Sequence, residues 1–223
     1  MTRGRTAKVL VQRWDGHALA RHPDELIMEE PLEVHLDGHL VGTTMRTPGH
    51  DFELAVGLCH GDGLLGGAPV VTCRYCATGS AVDTAFNVVT VDTGAVAPRP
   101  APRLAATTSA CGMCGSTALQ ELRDRIVPIP VGASWPVDLL AAVPEAVRPE
   151  QVLFGTTGAV HGAAAFDRSG RIVLVREDIG RHNAVDKVVG RLLLDGALPA
   201  TELGLFISGR AGFEIVQKAW AAG

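Results

Sequence analysis

The sequence has no long apolar run. No stretch approaches the roughly 20 apolar residues that a membrane-spanning helix needs, and the basic start at Arg3, Arg5 and Lys8 leads into a strand-like run. We therefore expect neither a signal peptide nor a membrane partner. Neither sign of charge is in large excess, since the formal net charge is −4 over 223 residues. Such a balance gives no reason to expect broad nucleic-acid binding. The cysteine usage makes a cytoplasmic protein the expectation.

Cysteine is too scarce for a disulfide framework. The chain has five cysteines, an odd number, which favours a reducing compartment where a CxxC pair is more often metal-binding or redox-active. The sequence holds two such pairs, Cys73 with Cys76 and Cys111 with Cys114. Their four sulfurs suit a tetrahedral zinc site, but the 34-residue gap between the pairs exceeds that of a compact zinc ribbon. We expect no permanent metal, and zinc stays an alternative.

The second cysteine pair has the features of a reactive thiol. Each of its cysteines is followed by a glycine, and a helix-like apolar spacing starts at Leu119. A helix N-terminus favours the thiolate form of a nearby cysteine. Prolines at 98, 100 and 102 predict a mobile loop over residues 96–118 that carries Cys111 and Cys114. On these residues alone, the pair fits sulfur transfer, disulfide exchange or half of a metal site.

The first 95 residues predict an α+β subdomain. An alternating run, an Asp37-Gly38 turn and a second run indicate a hairpin. A helix beginning near His50 is apolar on most sides, so we expect it to be buried with Cys59 in the core. The predicted strands span residues 9–14, 30–36, 40–45, 70–76 and 85–91.

Residues 119–223 predict an α/β cofactor-binding domain. Helices are expected at 136–147 and 149–154, a hairpin at 161–167 and 172–175, and a helix from about Ala184 to Asp195. The apolar run 203–207 suits a buried parallel strand, and another helix follows. The alternation indicates a parallel or mixed sheet covered by helices on both faces. Because no strand follows the last helix before Gly223, we expect that the chain lacks a C-terminal segment.

Two polar segments follow predicted strands. Residues 176–187 place many charged groups at a strand end and helix start, where open α/β sheets bind ligands and helix N-termini bind anions. The alternative is an ordinary helix start capped by Asp178 or Asn183. Residues 208–210 follow the next strand and suit a phosphate, although an ordinary loop is also consistent. His161 begins a strand, where a histidine is more often structural than a ligand. The candidate binding residues are His161, Asp178, Arg181, His182, Asn183, Lys187, Ser208, Gly209 and Arg210.

Several motifs together resemble the FdhD family, the formate dehydrogenase accessory sulfurtransferases. They are TPGHD at 47–51, TSACGMCG at 108–115, FGTTGAVHGAA at 154–164, REDIGRHNAVDK at 176–187 and SGRAGFEIVQK at 208–218. The resemblance covers nearly the whole chain and occurs in the order of the family. A glycine- and arginine-containing segment near the C-terminus of the family has no counterpart before Gly223.

The resemblance implies a fold and a function. The fold is a three-layer, cytidine-deaminase-like mixed sheet without zinc chemistry, with a smaller N-terminal α+β subdomain. The function is transfer of persulfide sulfur from a cysteine desulfurase to the molybdenum cofactor, a bis-molybdopterin guanine dinucleotide, for formate dehydrogenase. Cys111 matches the cysteine that carries the persulfide, and Cys114 is its partner. The polar segments would bind the cofactor, including its guanine nucleotide part, and a homodimer is compatible with this assignment.

Two other functions are consistent with the cysteine pairs. A thiol–disulfide oxidoreductase would cycle Cys111 and Cys114 between dithiol and disulfide forms. A zinc-stabilised chaperone would use all four CxxC cysteines as ligands and shield the cofactor without transferring sulfur. Replacement of Cys114 by serine separates the first from a persulfide carrier, and metal analysis separates the second.

Overall fold

The computed structural model describes residues 4–76, 79–100, 129, 132 and 134–223, which contain nine strands and five α-helices. The strands are β1 (Thr6–Trp14), β2 (Leu19–Ile27), β3 (Glu30–Leu36), β4 (His39–Arg46), β5 (Thr72–Arg74), β6 (Val88–Asp92), β7 (His161–Asp167), β8 (Ile172–Asp178) and β9 (Leu203–Ile207). The helices are α1 (Asp51–Gly61), α2 (Val137–Val147), α3 (Val152–Thr157), α4 (Arg181–Leu194) and α5 (Phe213–Ala221), and a 3-10 turn (Arg148–Glu150) joins α2 to α3.

The N-terminal half contains two sheets. Strands β1 and β2 form an antiparallel ribbon, while the other four strands pair in the order β4-β3-β6-β5. The predicted hairpin is confirmed by β3 and β4, whose turn places Asp37 and Gly38 at φ angles of 48° and 80°. Strand β6 runs parallel to β3, so this second sheet is mixed. The helix predicted near His50 is confirmed as α1, and its side chains Leu54 and Cys59 are fully buried against the sheet.

The C-terminal half contains a three-stranded sheet in the order β8-β7-β9. The predicted hairpin of residues 161–175 is confirmed, and β8 extends to Asp178. The prediction that residues 203–207 form a buried parallel strand is wrong in two respects. Strand β9 pairs antiparallel with β7 and its residues are only half-buried. After β8 the chain passes through α4 and joins the sheet again on the other side of β7. The neighbour of β9 is therefore β7, which runs in the opposite direction.

Alternate residues of β7 face different helices. Ala163 and Ala165 pack with α4, whereas Ala164 and Phe166 pack with Val143 and other side chains from α2. Because side chains alternate across a strand, this strand is covered on both faces by helices, as predicted. The sheet itself is antiparallel throughout, so the parallel or mixed sheet predicted for this half is wrong. The cytidine-deaminase-like fold stays a prediction. The predicted domain boundaries, after residue 95 and after residue 118, also stay predictions, since residues 101–118 lie outside the described residues.

The two halves meet where α1 crosses α4. A Cβ atom built on Gly57 would lie 1.9 Å from the carbonyl oxygen of Asp186, and one built on Gly190 would lie 1.8 Å from that of Glu53. No side chain fits at either distance, so glycine at both positions permits the close backbone approach. The crossing places the first turns of α4 beside the C-terminal end of α1.

An ion pair strengthens this junction. Arg176 of β8 donates from Nε and Nη2 to the two carboxylate oxygens of Glu53, at 2.5 and 2.9 Å. Burial raises the pKa of Glu53, but hydrogen bonds from Arg176 and His50 outweigh burial and lower that pKa to about 2. The carboxylate is therefore charged at neutral pH and links α1 to the strand that leads into the polar segment 176–187.

Candidate functional site

The predicted polar segments meet at one edge of the three-stranded sheet. Strand β7 begins there, β8 and β9 end there, and α4 and α5 begin just beyond the strand ends. His161 pairs in register with Asp178. The backbone N–H of Ser208 donates to the carbonyl of Gly162, and the N–H of Gly162 donates to the Ser208 hydroxyl, both at 2.9 Å. The structure therefore brings together three segments that are far apart in the sequence.

Arg181 lies at this edge, beside the loop that follows β9. A Cβ atom on Gly209 would lie 3.1 Å from Nδ1 of His161 and 3.4 Å from Cβ of Arg181, so the glycine lets the loop approach both residues. The Nε of Arg181 is buried and has no hydrogen-bond partner in the described part of the chain. A buried guanidinium donor without a partner is unfavourable unless an anion or another acceptor binds it. Arg210 is exposed in the loop that leads to α5.

Asp178 and Lys187 form a fully buried ion pair behind Arg181. The Nζ of Lys187 lies 2.6 Å from Oδ2 of Asp178, and neither side chain is exposed to solvent. Lys187 also donates to the carbonyl of Thr47 at 2.9 Å. Burial lowers the pKa of Lys187, while the charge of Asp178 and its hydrogen bond act in the opposite direction. These two predicted site residues therefore hold α4 and β8 together from inside the protein.

Asn183 belongs to the same buried network. Its Nδ2 donates to Asp178 at 3.0 Å and to the carbonyl of Met45 at 2.7 Å, and its Oδ1 accepts from the Thr44 hydroxyl at 3.1 Å. The alternative that Asp178 or Asn183 caps α4 is wrong, because the N-cap is Gly180 and no side-chain capping hydrogen bond is made to this helix among the described residues. Asp178 instead accepts from the backbone N–H of Gly180 at 2.8 Å. The network fixes the turn from which Arg181 projects.

The Thr47 segment is a part of this site that sequence analysis missed. Its backbone N–H donates to Asp178 at 3.1 Å, and its hydroxyl accepts from the N–H of Ile179 at 3.0 Å. Thr47 is itself fully buried. The only signal in the sequence was the TPGHD motif at 47–51, which gives no indication of the element that it contacts.

His182 contacts a residue that was not among the predicted site residues. Its Nε2 lies 2.8 Å from Oε2 of Glu214, in the first turn of α5. One turn later, Nζ of Lys218 lies 2.7 Å from Oδ1 of Asp186. The spacing of four residues within each pair, 182 with 186 and 214 with 218, places each pair on one helical face and is the signal that would have found them.

Cys59 and Cys73 are not activated thiols. Cys59 is in the core as predicted, and burial raises its pKa to about 12. Cys73 is half-buried in β5, and burial raises its pKa to about 11. Neither is a thiolate at neutral pH. Cys111 and Cys114 lie outside the described residues, so both the reactive pair and the four-cysteine zinc site stay predictions.

Two classes of site have no candidate in the described ranges. No three side chains suited to a metal lie together there. No helix in those ranges combines the length and the apolar character needed to cross a bilayer. What these ranges do contain is a polar edge of the three-stranded sheet, where β8 and β9 end and α4 and α5 begin.

Comparison with known proteins identifies the family. The model of the FdhD/NarQ family matches residues 27–223. The chain is 44% identical to the sulfur carrier protein FdhD of Nocardia farcinica over 225 residues, covering 98% of this chain and 79% of that protein. It is 41% identical to the protein of the same name from Corynebacterium efficiens over 217 residues, covering 90% of this chain and 76% of the relative. The chain therefore belongs to the FdhD/NarQ family.

A solved structure shows the same fold. The crystal structure is from Desulfotalea psychrophila and is provisionally assigned as a formate dehydrogenase accessory protein. It matches with a TM-score of 0.75 at 20% sequence identity, covering 99% of this chain and 81% of that one. At this identity the match concerns the fold alone.

Proposed function

We propose that this protein carries sulfur as a persulfide on Cys111 and delivers it to the molybdenum cofactor of a formate dehydrogenase. Sulfur carriage is supported by the family and by the names of its relatives. The observation that supports cofactor binding is the buried Nε of Arg181 beside His161 and Gly209, which has no hydrogen-bond partner among the described residues. The cofactor is a bis-molybdopterin guanine dinucleotide, whose phosphates would supply the missing acceptor.

The predicted site residues divide into two groups in this proposal. Asp178, Asn183 and Lys187 are buried and satisfied by protein partners, so they position the turn instead of contacting the ligand. A second group lies at the sheet edge and would contact the cofactor. This group contains His161, Arg181, His182, Ser208, Gly209 and Arg210.

The chemistry begins with displacement at sulfur. The Cys111 thiolate attacks the outer sulfur of a persulfide on the donor, a cysteine desulfurase. A new S–S bond forms at Cys111 as the S–S bond of the donor breaks, and the cysteine of the donor leaves as a thiolate. No net oxidation or reduction is needed in this step. In this proposal the reaction takes place in the cytoplasm, formate dehydrogenase is the client, and a homodimer is compatible with it.

GDP is a direct probe of the sheet-edge site, because it contains the guanine nucleotide part of the cofactor. We expect the protein to bind GDP and Arg181→Met to weaken binding about tenfold or more, since a hydrogen bond to a charged group contributes about 1.5–3 kcal/mol. Isothermal titration calorimetry measures both affinities. Arg171→Met is a matched control, because Arg171 is 75% exposed in the turn at the other end of the sheet. Equal affinities for the wild type and Arg181→Met, or no binding by the wild type, would contradict cofactor binding at this edge.

A further inference from the structure

His182 and Glu214 link two helix starts at the sheet edge. Each is the second residue of its helix, in α4 and α5, and the two helices follow β8 and β9. The side chains are about one-third exposed, so their contact lies at the surface of the site. Within the described residues this ion pair is the one polar contact that the side chain of His182 makes. Glu214 is therefore the group that determines the orientation of this ring.

Contacts of Lys218 and Gln217 hold α5, the helix that carries Glu214, in place. Lys218 lies one turn later on the same face of α5 and forms an ion pair with the buried Asp186 of α4. The side chain of Gln217 donates to the carbonyl of Gly61 at the end of α1, at 3.1 Å. These contacts fix α5 against two other helices. The carboxylate of Glu214 consequently meets His182 in one defined geometry.

The contact determines which nitrogen of His182 carries the proton. Burial lowers the pKa of the ring; the charge of Glu214 raises it, whereas Arg181 and Lys218 lower it and Asp62 raises it. The net direction is downward, so the ring is neutral near neutral pH. A carboxylate has no proton to donate, so a ring nitrogen that lies 2.8 Å from Oε2 of Glu214 must itself be protonated. In this state Nε2 carries the proton and Nδ1 is an acceptor.

We infer that Glu214 is a positioning residue for the binding site, which holds His182 as a neutral hydrogen-bond acceptor for an N–H or O–H donor of the ligand. The inference rests on the proposed function for the identity of the ligand. The inference assigns different binding roles to Arg181 and His182. Arg181 provides a donor for an anionic group, while His182 provides an acceptor for a neutral donor such as a guanine N–H or a ribose hydroxyl.

The tautomer of His182 is the first test. Long-range nitrogen–proton NMR spectra of protein labelled at histidine identify the protonated ring nitrogen, and His182→Gln assigns the signal. We expect a neutral ring with the proton on Nε2 in the wild type. In Glu214→Gln the amide can donate as well as accept, so the fraction with the proton on Nδ1 should rise. A wild-type ring that is doubly protonated near neutral pH, or that carries its proton on Nδ1, would overturn the inference whether or not GDP binds.

Ligand binding is the second test. Glu214→Gln should weaken GDP binding about tenfold, the effect of about 1.4 kcal/mol, without a change in thermal midpoint. Glu202→Gln is the control, because the side chain of Glu202 is 78% exposed just before β9, away from the site. With 2′,3′-dideoxy-GDP, the effect of Glu214→Gln persists if the donor is a base N–H and disappears if it is a sugar hydroxyl. Unchanged GDP affinity in Glu214→Gln would overturn the inference, whereas absence of binding by the wild type would overturn the proposed function.

Discussion

Cys111→Ala should abolish sulfur loading. After incubation with a cysteine desulfurase and cysteine, the wild type should gain the mass of one sulfur atom, and a reductant should remove it. The variant should gain none, because a methyl group cannot form the S–S bond that holds the transferred sulfur. Intact-mass spectrometry measures the adduct directly, and the expected effect is complete loss.

Cys114→Ser is the informative companion to this variant. A persulfide carrier requires one cysteine, so Cys114→Ser should retain loading. A thiol–disulfide oxidoreductase requires both, so its cycle would be abolished. If the wild type gains no sulfur and instead loses two protons to form a disulfide between Cys111 and Cys114, the oxidoreductase alternative replaces sulfur transfer. One tightly bound zinc per chain would instead support the chaperone alternative.

Lys187→Met should have the largest effect on stability. The substitution leaves the carboxylate of Asp178 buried without its cation, although hydrogen bonds from Thr47, Gly180 and Asn183 remain. Breaking a buried ion pair by removing one partner typically costs 3–5 kcal/mol. We expect the free energy of unfolding to fall by about that amount, as measured by urea denaturation.

Two further variants test the origin of the effect. Lys8→Met is the matched control, because Lys8 is exposed on β1 and its replacement should change the free energy of unfolding by less than about 0.5 kcal/mol. Asp178→Asn combined with Lys187→Met should cost less than the sum of the two single variants, because no uncompensated charge remains. A loss below about 1 kcal/mol for Lys187→Met would show that the buried pair does not hold α4 to β8 as described.

Many of the local elements were predictable from the sequence, although β2 (Leu19–Ile27) was not among the predicted strands. Periodicity and turn residues located the hairpins around Asp37 and Gly170 and the start of α1 near His50. The direction of β9 was not predictable, because an apolar run has the same composition beside a parallel or an antiparallel neighbour. Strand β9 is antiparallel to its neighbour because α4 returns the chain to the free edge of β7 and not to the free edge of β8. The strand order β8-β7-β9 records this choice.

The meeting of the polar segments at one sheet edge was also predictable, but the contacts that each residue makes there were not. Motif 176–187 contains both the exposed side of the site and its buried support, and its polar composition does not separate them. Lys187 follows Arg181 by six residues, and this spacing turns the lysine toward β8 and the Thr47 segment. The roles of Thr47 and Glu214 depend on contacts between distant elements, which no local pattern specifies.

The measurement that tests the central claim most directly is transfer of radiolabelled sulfur. The protein is loaded with labelled sulfur by the desulfurase, separated from it, and mixed with formate dehydrogenase that contains unsulfurated molybdenum cofactor. We predict that the label moves to the cofactor extracted from formate dehydrogenase, and that Arg181→Met loads normally but transfers slowly. Label that stays on the protein, or is released only as free sulfide, would contradict delivery of sulfur to the cofactor.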